Sequence, residues 1–255
     1  GAGQLPTREP MQLDGRSRRA VARAALEAQL QGMGEAELAE RVRLGGQLPP
    51  GTPGELAMSE QWCQATPVAT LLEPLLTSQA LLPLSVSVMV GDWQLTGALE
   101  NVGLSGQILW SVESPSPWVM LRAWCAHLLL NMATDAPSHH TRLVSPNGVA
   151  TFAPEHDPGQ LLLEILALYS EGMCRPLPFF PRSAWKFVNA PRSPRSAAQQ
   201  SWMGSDFGSA QGESSDPYFA LAFRDRLEQA LDEEFESLAT QLLGTPKERL
   251  QDQDA

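Results

Sequence analysis

Apolar and polar positions follow two different periods along the chain. Ala20, Val21, Ala24, Ala25 and Leu30 recur at helical spacing, and Leu38 and Val42 stand four apart, so Arg16 to Val42 predicts two helices. Residues 1–15 are polar and rich in Pro and Gly and predict a frayed lead-in. The breaker Gly45-Gly46-Gln47-Leu48-Pro49-Pro50-Gly51 precedes two further helices, over about Gly54–Cys63 and Pro67–Leu76.

The period then falls to two. Leu84, Val86, Val88 and Val90 alternate with Ser85, Ser87 and Met89. Beyond a turn at Gly91-Asp92, Trp93, Leu95, Gly97 and Leu99 continue the alternation, which puts Trp93, Leu95 and Leu99 on one buried face. Gly103-Leu104-Ser105-Gly106 turns the chain into a third strand, Gln107 to Val112, completing a β-meander. A helix over Pro117–Met132 follows. Strands near Leu143–Val144 and Val149–Phe152 flank Asn147-Gly148, a strong hairpin signal. Asp157 with Pro158 opens a helix carrying Leu161, Leu162, Ile165, Leu168 and Tyr169. Ser183–Asn189 reads as a short helix, 191–215 as a Ser/Gly/Gln-rich loop around Trp202, and Leu227–Leu243 as the last helix.

The 43% apolar content suits a folded core. Apolar stretches are broken by Glu73, Asp92 or Arg122, short of the roughly 18 residues a spanning helix requires. No secretory leader opens the chain, and Gly1-Ala2-Gly3 without Met suggests an excised fragment. Cys63, Cys125 and Cys174 stand far apart and read as buried thiols of a reducing compartment. His127, His139, His140 and His156 lack the spacing of a zinc site. No cofactor and no metal site is expected, and the compartment expected is the bacterial cytoplasm.

A net charge of −11 argues against a free-standing nucleic-acid binder. The charge is uneven, however. From Gly172 to Ser205 there is no acidic residue, while Arg175, Arg182, Lys186, Arg192 and Arg195 are basic. This strip, with Trp185, is the candidate DNA-contacting site. Trp185 and Phe187 offer either core packing or stacking on bases of a splayed strand. Trp93, Trp110, Trp118 and Trp124 read as core.

The order helix, three-strand meander, helix, strand resembles the core of PD-(D/E)XK nucleases. That likeness implies an acid on the second strand and an acid-x-lysine triplet on the third, where two carboxylates hold Mg²⁺ and the lysine stabilises developing phosphoryl charge. Glu100 occupies the second strand and is the vestigial nuclease position; alone it reads as a solvated strand-end carboxylate. The third strand, Gln107-Ile-Leu-Trp-Ser-Val112, has no acid-x-lysine, and both lysines of the chain, Lys186 and Lys247, fall far downstream. No GxxxxGK[ST] loop and no GxSxG elbow is present.

Several stretches carry a closer likeness: Leu48-Pro-Pro-Gly-Thr-Pro-Gly-Glu-Leu56, Gly91-Asp-Trp-Gln-Leu-Thr-Gly-Ala-Leu-Glu-Asn101, Leu121-Arg-Ala-Trp-Cys-Ala-His-Leu128, Tyr169-Ser-Glu-Gly172, Pro176-Leu-Pro-Phe-Phe-Pro-Arg-Ser-Ala-Trp185, Trp202-Met-Gly-Ser-Asp206 and Gly212-Glu-Ser-Ser-Asp-Pro-Tyr218. Over about residues 40–245 the chain resembles the C-terminal domain of the RecC family, the gamma subunit of exodeoxyribonuclease V. Glu100 stands where that family's turn leads one to expect Asp. The resemblance implies an α+β, PD-(D/E)XK-like fold with a mixed central sheet flanked by helices and an N-terminal helical extension. It divides the chain into a helical lead-in (1–66), an inactivated nuclease-like domain (67–245) and a polar tail (246–255). It also implies a non-catalytic role in double-strand-break repair: scaffolding RecB and RecD, and guiding forked or single-stranded DNA. Two other readings stay open. One is a protein-interaction module without DNA contact. The other is a metal-dependent nuclease whose site has migrated, with Glu73 as second carboxylate or Arg122 replacing the lysine.

Overall fold

A computed structural model of the chain describes residues 11–204, 211–224 and 226–252, with Glu228 by its backbone alone. Residues 1–10 of the lead-in, Ser205 and Asp206 of the Trp202 stretch, Asp225 and residues 253–255 of the tail lie outside the described residues.

The N-terminal third is helical: α1 (Gly15–Leu30), α2 (Glu35–Leu44) and α3 (Thr52–Thr77). Asp14 caps α1 by accepting a hydrogen bond from the Ser17 amide at 2.7 Å, which holds its carboxyl below the usual range. The two helices expected over 54–63 and 67–76 are a single one. Pro67 and Pro74 lie inside α3 and donate no backbone hydrogen bond. The carbonyls they free, at Cys63 and Thr70, belong to exposed residues and so escape the cost of an unpaired buried group. The buried stripe Met58, Ala65, Val68, Ala69 and Leu72 runs unbroken through the first proline. Burial of that stripe outweighs the local helix-breaking signal.

β1 (Leu82–Val90), β2 (Trp93–Gly103) and β3 (Gly106–Trp110) form the expected meander. Asn101, in the left-handed region at φ 60°, marks the irregularity where Leu84 pairs with Leu99 and Leu82 with Val102. Gly106 has φ 104°, and a Cβ there would lie 2.1 Å from the His140 carbonyl oxygen, so this turn requires glycine. α4 (Pro117–Met132) carries the chain over to β4 (Thr141–Ser145), parallel to β3, and β5 (Gly148–Phe152) returns through the Asn147-Gly148 hairpin. Among the described residues six strands form one mixed sheet in sequence order, closed at the far edge by β6 (Leu250–Asp252) on β5. The polar tail expected from 246 thus contributes a short helix and an edge strand through Asp252.

Alternate residues of the central strands divide two cores. Ile108 and Val144 face α1–α3, with Val21, Leu26, Met58 and Leu72. Leu109, Leu143 and Phe152 face the other side, with Trp124 and Leu128 of α4. The result is a helix–sheet–helix sandwich. At the β1–β2 hairpin, Val86 and Leu99 are buried against Leu130. On this inner face Leu95 is half-buried and Trp93 is 39% exposed. Trp93 stands at the sheet rim beside the turn, touching Tyr169 edge-on with ring centroids 6.0 Å apart, so the expectation of a buried Trp93 is corrected. Trp118, in the first turn of α4, is 65% exposed, against the expectation of core; Trp110 is half-buried and Trp124 fully buried. Cys63 and Cys174 are exposed rather than buried; Cys125 is half-buried, and desolvation raises its thiol.

The last third builds a helical unit against α4. It comprises α5 (Pro158–Gly172), α6 (Pro181–Asn189), α7 (Pro194–Met203), α8 (Pro217–Ala222), α9 (Glu233–Ala239) and α10 (Thr245–Arg249), with a π turn over Thr240–Gly244. Residues 191–215, expected as loop, contain α7, with Ala198 and Trp202 buried, and the turn Glu213–Ser215, with Glu213 buried. The last helix expected over 227–243 is broken instead: Leu227–Gln229 is a 3₁₀ turn, and Asp232 caps a new start. Among the described residues no helix is long and apolar enough to cross a membrane.

Candidate nucleic-acid interface

The basic strip follows the C-terminal end of α5, all of α6 and the start of α7. Its backbone is set by a packing centre beneath it. Phe180 is fully buried and its ring lies 4.1 Å from Trp202, 5.1 Å from Phe219, 5.2 Å from Phe223 and 5.9 Å from Phe235. Trp202 Nε1–H donates to the Leu227 carbonyl at 3.1 Å. The stretches around 176–185, 202 and 212–218 therefore meet in one small core.

Glu213, only 4% exposed, fixes the start of α6. Its carboxylate accepts from the Arg182 amide at 3.0 Å and the Ser183 amide at 2.7 Å, satisfying two of the helix's free N–H groups. Gly212 makes this approach possible, since a Cβ there would lie 2.4 Å from the Trp202 carbonyl oxygen. At the other end of α6, Lys247 Nζ donates to the Val188 carbonyl at 2.8 Å.

The five cations of the strip fall into two groups. Arg175 pairs with Glu234 and with Glu171, its Nε donating to Glu171 at 2.9 Å; both carboxylates, Glu234 first, hold its guanidinium further above its usual range. Arg195 pairs with Glu236, which does the same. Arg182 stands 4.0 Å from Glu213 and donates to the Gln211 carbonyl at 3.4 Å. Lys186 and Arg192 are exposed and form no ion pair among the described residues. Trp185 is half-buried and packs on the main core, as does Phe187, whose ring meets Phe235 edge-on at 5.9 Å.

Glu100 is exposed on β2. β2 and β3 pair only at Val102–Gln107 and Gly103–Gly106. Gln107 is 2% exposed; its Nε2 donates to the Glu100 carbonyl at 3.0 Å, while its Oε1 has no partner. The described residues bring together no group of three or more His, Cys, Asp or Glu side chains able to hold a metal ion.

Two features escaped the sequence reading. Glu213 looked like one residue of a polar loop, because its role depends on α6 arriving 30 residues earlier in the chain. Arg16, Arg18 and Arg19 of α1 form no ion pair among the described residues; their close succession was the available signal.

The fold is an α+β domain, a mixed six-stranded sheet between helical layers. The chain belongs to the RecC C-terminal domain family, which it matches over residues 1–192, three-quarters of its length. The Trp202 and Gly212–Tyr218 stretches lie beyond that match. No curated protein matches the chain.

Proposed function

We propose that the chain is a non-catalytic, nuclease-like domain of a RecC subunit. In this reading it works in the bacterial cytoplasm, scaffolds a DNA-repair helicase–nuclease with RecB and RecD, and helps to split the duplex and guide the separated strands. The carrying observation is the sheet: α3, the β1–β3 meander, α4 and the parallel β4 follow the order of PD-(D/E)XK nucleases, while β3 presents Gln107 and Leu109 on the α4 side. An amide and an alkyl chain at those positions supply neither an anionic metal ligand nor a cation for a phosphoryl group. Exposed Glu100 is left without a partner carboxylate of that strand.

Strand guidance would fall to Lys186 and Arg192, with Arg182 beside them. The ion pairs of Arg175 and Arg195 favour the second reading, a protein-interaction module without DNA contact. One experiment separates the two. The chain is immobilised and offered purified RecB and RecD separately, with and without forked DNA. Retention of a subunit that strengthens with forked DNA supports the proposal. Retention indifferent to DNA supports the interaction module, and retention of neither subunit removes the scaffold role.

A further inference from the structure

Exposed arginines on several helices are neutralised locally: Arg41 by Glu37 at 2.8 Å, Arg43 by Glu40, Arg175 by Glu171 and Glu234, Arg195 by Glu236. The start of α1 departs from this pattern. Arg16, Arg18, Arg19 and Arg23 fall within eight residues, all exposed, and the first turn holds no acidic residue. Cations there oppose the positive end of the helix dipole. Asp14, the cap, is the nearby anion that senses Arg16. Arg23 reaches Glu27 at 3.1 Å, a pair as exposed as those of Arg41 and Arg43, so the charge left uncompensated on α1 is that of Arg16, Arg18 and Arg19.

At about 100° per residue, Arg16, Arg19 and Arg23 share one face of α1, within about 60° of each other and about 10 Å from first to last along the axis. That face turns away from the buried Val21, Ala25 and Ala28, while Leu26 at its edge is buried with them in the core that α1 shares with α3. The guanidinium groups therefore project from a rigid rod. Between them stands only Ala20, so the patch lacks the apolar or aromatic centre that a protein interface uses. It also lacks the stacking platform that single-stranded nucleic acid requires. Planar forks on a rigid frame suit phosphate oxygens.

We infer that the solvent face of α1, carrying Arg16, Arg19 and Arg23, docks on the phosphate backbone of duplex DNA. This rests on the reading of the chain as a DNA-guiding domain and extends it: α1 holds the unsplit duplex, apart from the Lys186–Arg192 strip. The interaction is electrostatic and indifferent to base sequence.

The test compares R16Q/R19Q with R41Q/R43Q, two equal charge changes on neighbouring helices, in the chain itself. Glutamine keeps helix propensity near that of arginine, and thermal unfolding checks that both variants retain the fold. Anisotropy of a labelled duplex is followed over a salt series. R16Q/R19Q is expected to flatten the log–log salt dependence by nearly two units, about 0.9 for each phosphate no longer neutralised. R41Q/R43Q should leave the slope unchanged. An equal effect of both pairs, or none from R16Q/R19Q, overturns the inference. So does R16Q/R19Q releasing RecB or RecD with the slope unaltered, which would make the patch a protein interface. If K186E/R192E weakens DNA binding and R16Q/R19Q does not, α1 alone loses its role. If the unaltered chain binds no DNA at any salt, the strand-guiding reading falls with it.

Discussion

The carboxylate of Glu213 receives the Ser183 amide at 2.7 Å and so holds the first turn of α6 from a point 30 residues later in the chain. Because the anion is almost fully buried and bonded to two N–H groups, its removal strands both donors. E213A should cost about 2–3 kcal/mol in urea unfolding. E213Q should recover part of the loss, since one acceptor oxygen remains. A variant as stable as the parent would show that the cap contributes nothing.

His127 gives the fold a pH dependence. It is fully buried, stacked on Trp124 and Phe152, with Nδ1 3.0 Å from Thr141 Oγ1. Desolvation pushes it down to about 4 from its ordinary 6.5, against the Ala153 carbonyl, which favours the cation; His140 and His139 push it down further. A base with a depressed folded pKa binds its proton more readily when unfolded. Its stabilising effect is therefore whole above pH 6.5 and is lost as pH falls from 6.5 towards 4, by up to about 3 kcal/mol. Denaturant unfolding at a series of pH values should show this slope, and H127F, which keeps the ring contacts, should remove it. A parallel slope in H127F would assign the effect to other groups.

The two kinds of cation in the basic strip should separate by assay. K186E/R192E should weaken low-salt binding of forked or single-stranded DNA while leaving the unfolding midpoint within experimental scatter. R175E and R195E place a second carboxylate beside Glu234 and Glu236, and should lower stability before they alter DNA binding. All three variants are measured by anisotropy and thermal unfolding. Loss of DNA binding in R175E and R195E alone would reverse the assignment.

No digestion of linear DNA is expected with Mg²⁺ or Mn²⁺, since β3 carries Gln107 and Leu109. The measurement is release of acid-soluble label from linear duplex. Metal-dependent release abolished by E100A would establish the migrated nuclease instead.

Periodicity together with local turn and cap residues determined the meander, α4, the β4–β5 hairpin and the start of α5. There each strand or helix buries one face and its turns carry their own chemistry, as at Asn147-Gly148 and Asp157-Pro158. The missing acid-x-lysine was equally legible, because an absent side chain cannot be supplied by folding. Tertiary packing decided the rest. α3 runs through Pro67 because its buried stripe outweighs the missing hydrogen bonds, and α7 forms in a polar stretch because Trp202 and Ala198 have Phe180 and its neighbours to pack on. Charge behaved likewise: five cations in one acid-free stretch read as a basic strip, yet Glu171 from the preceding helix and Glu234 and Glu236 from α9 reach Arg175 and Arg195. Which cations remain for a partner depends on which carboxylates fold against them, and a linear sequence orders charges without fixing those distances.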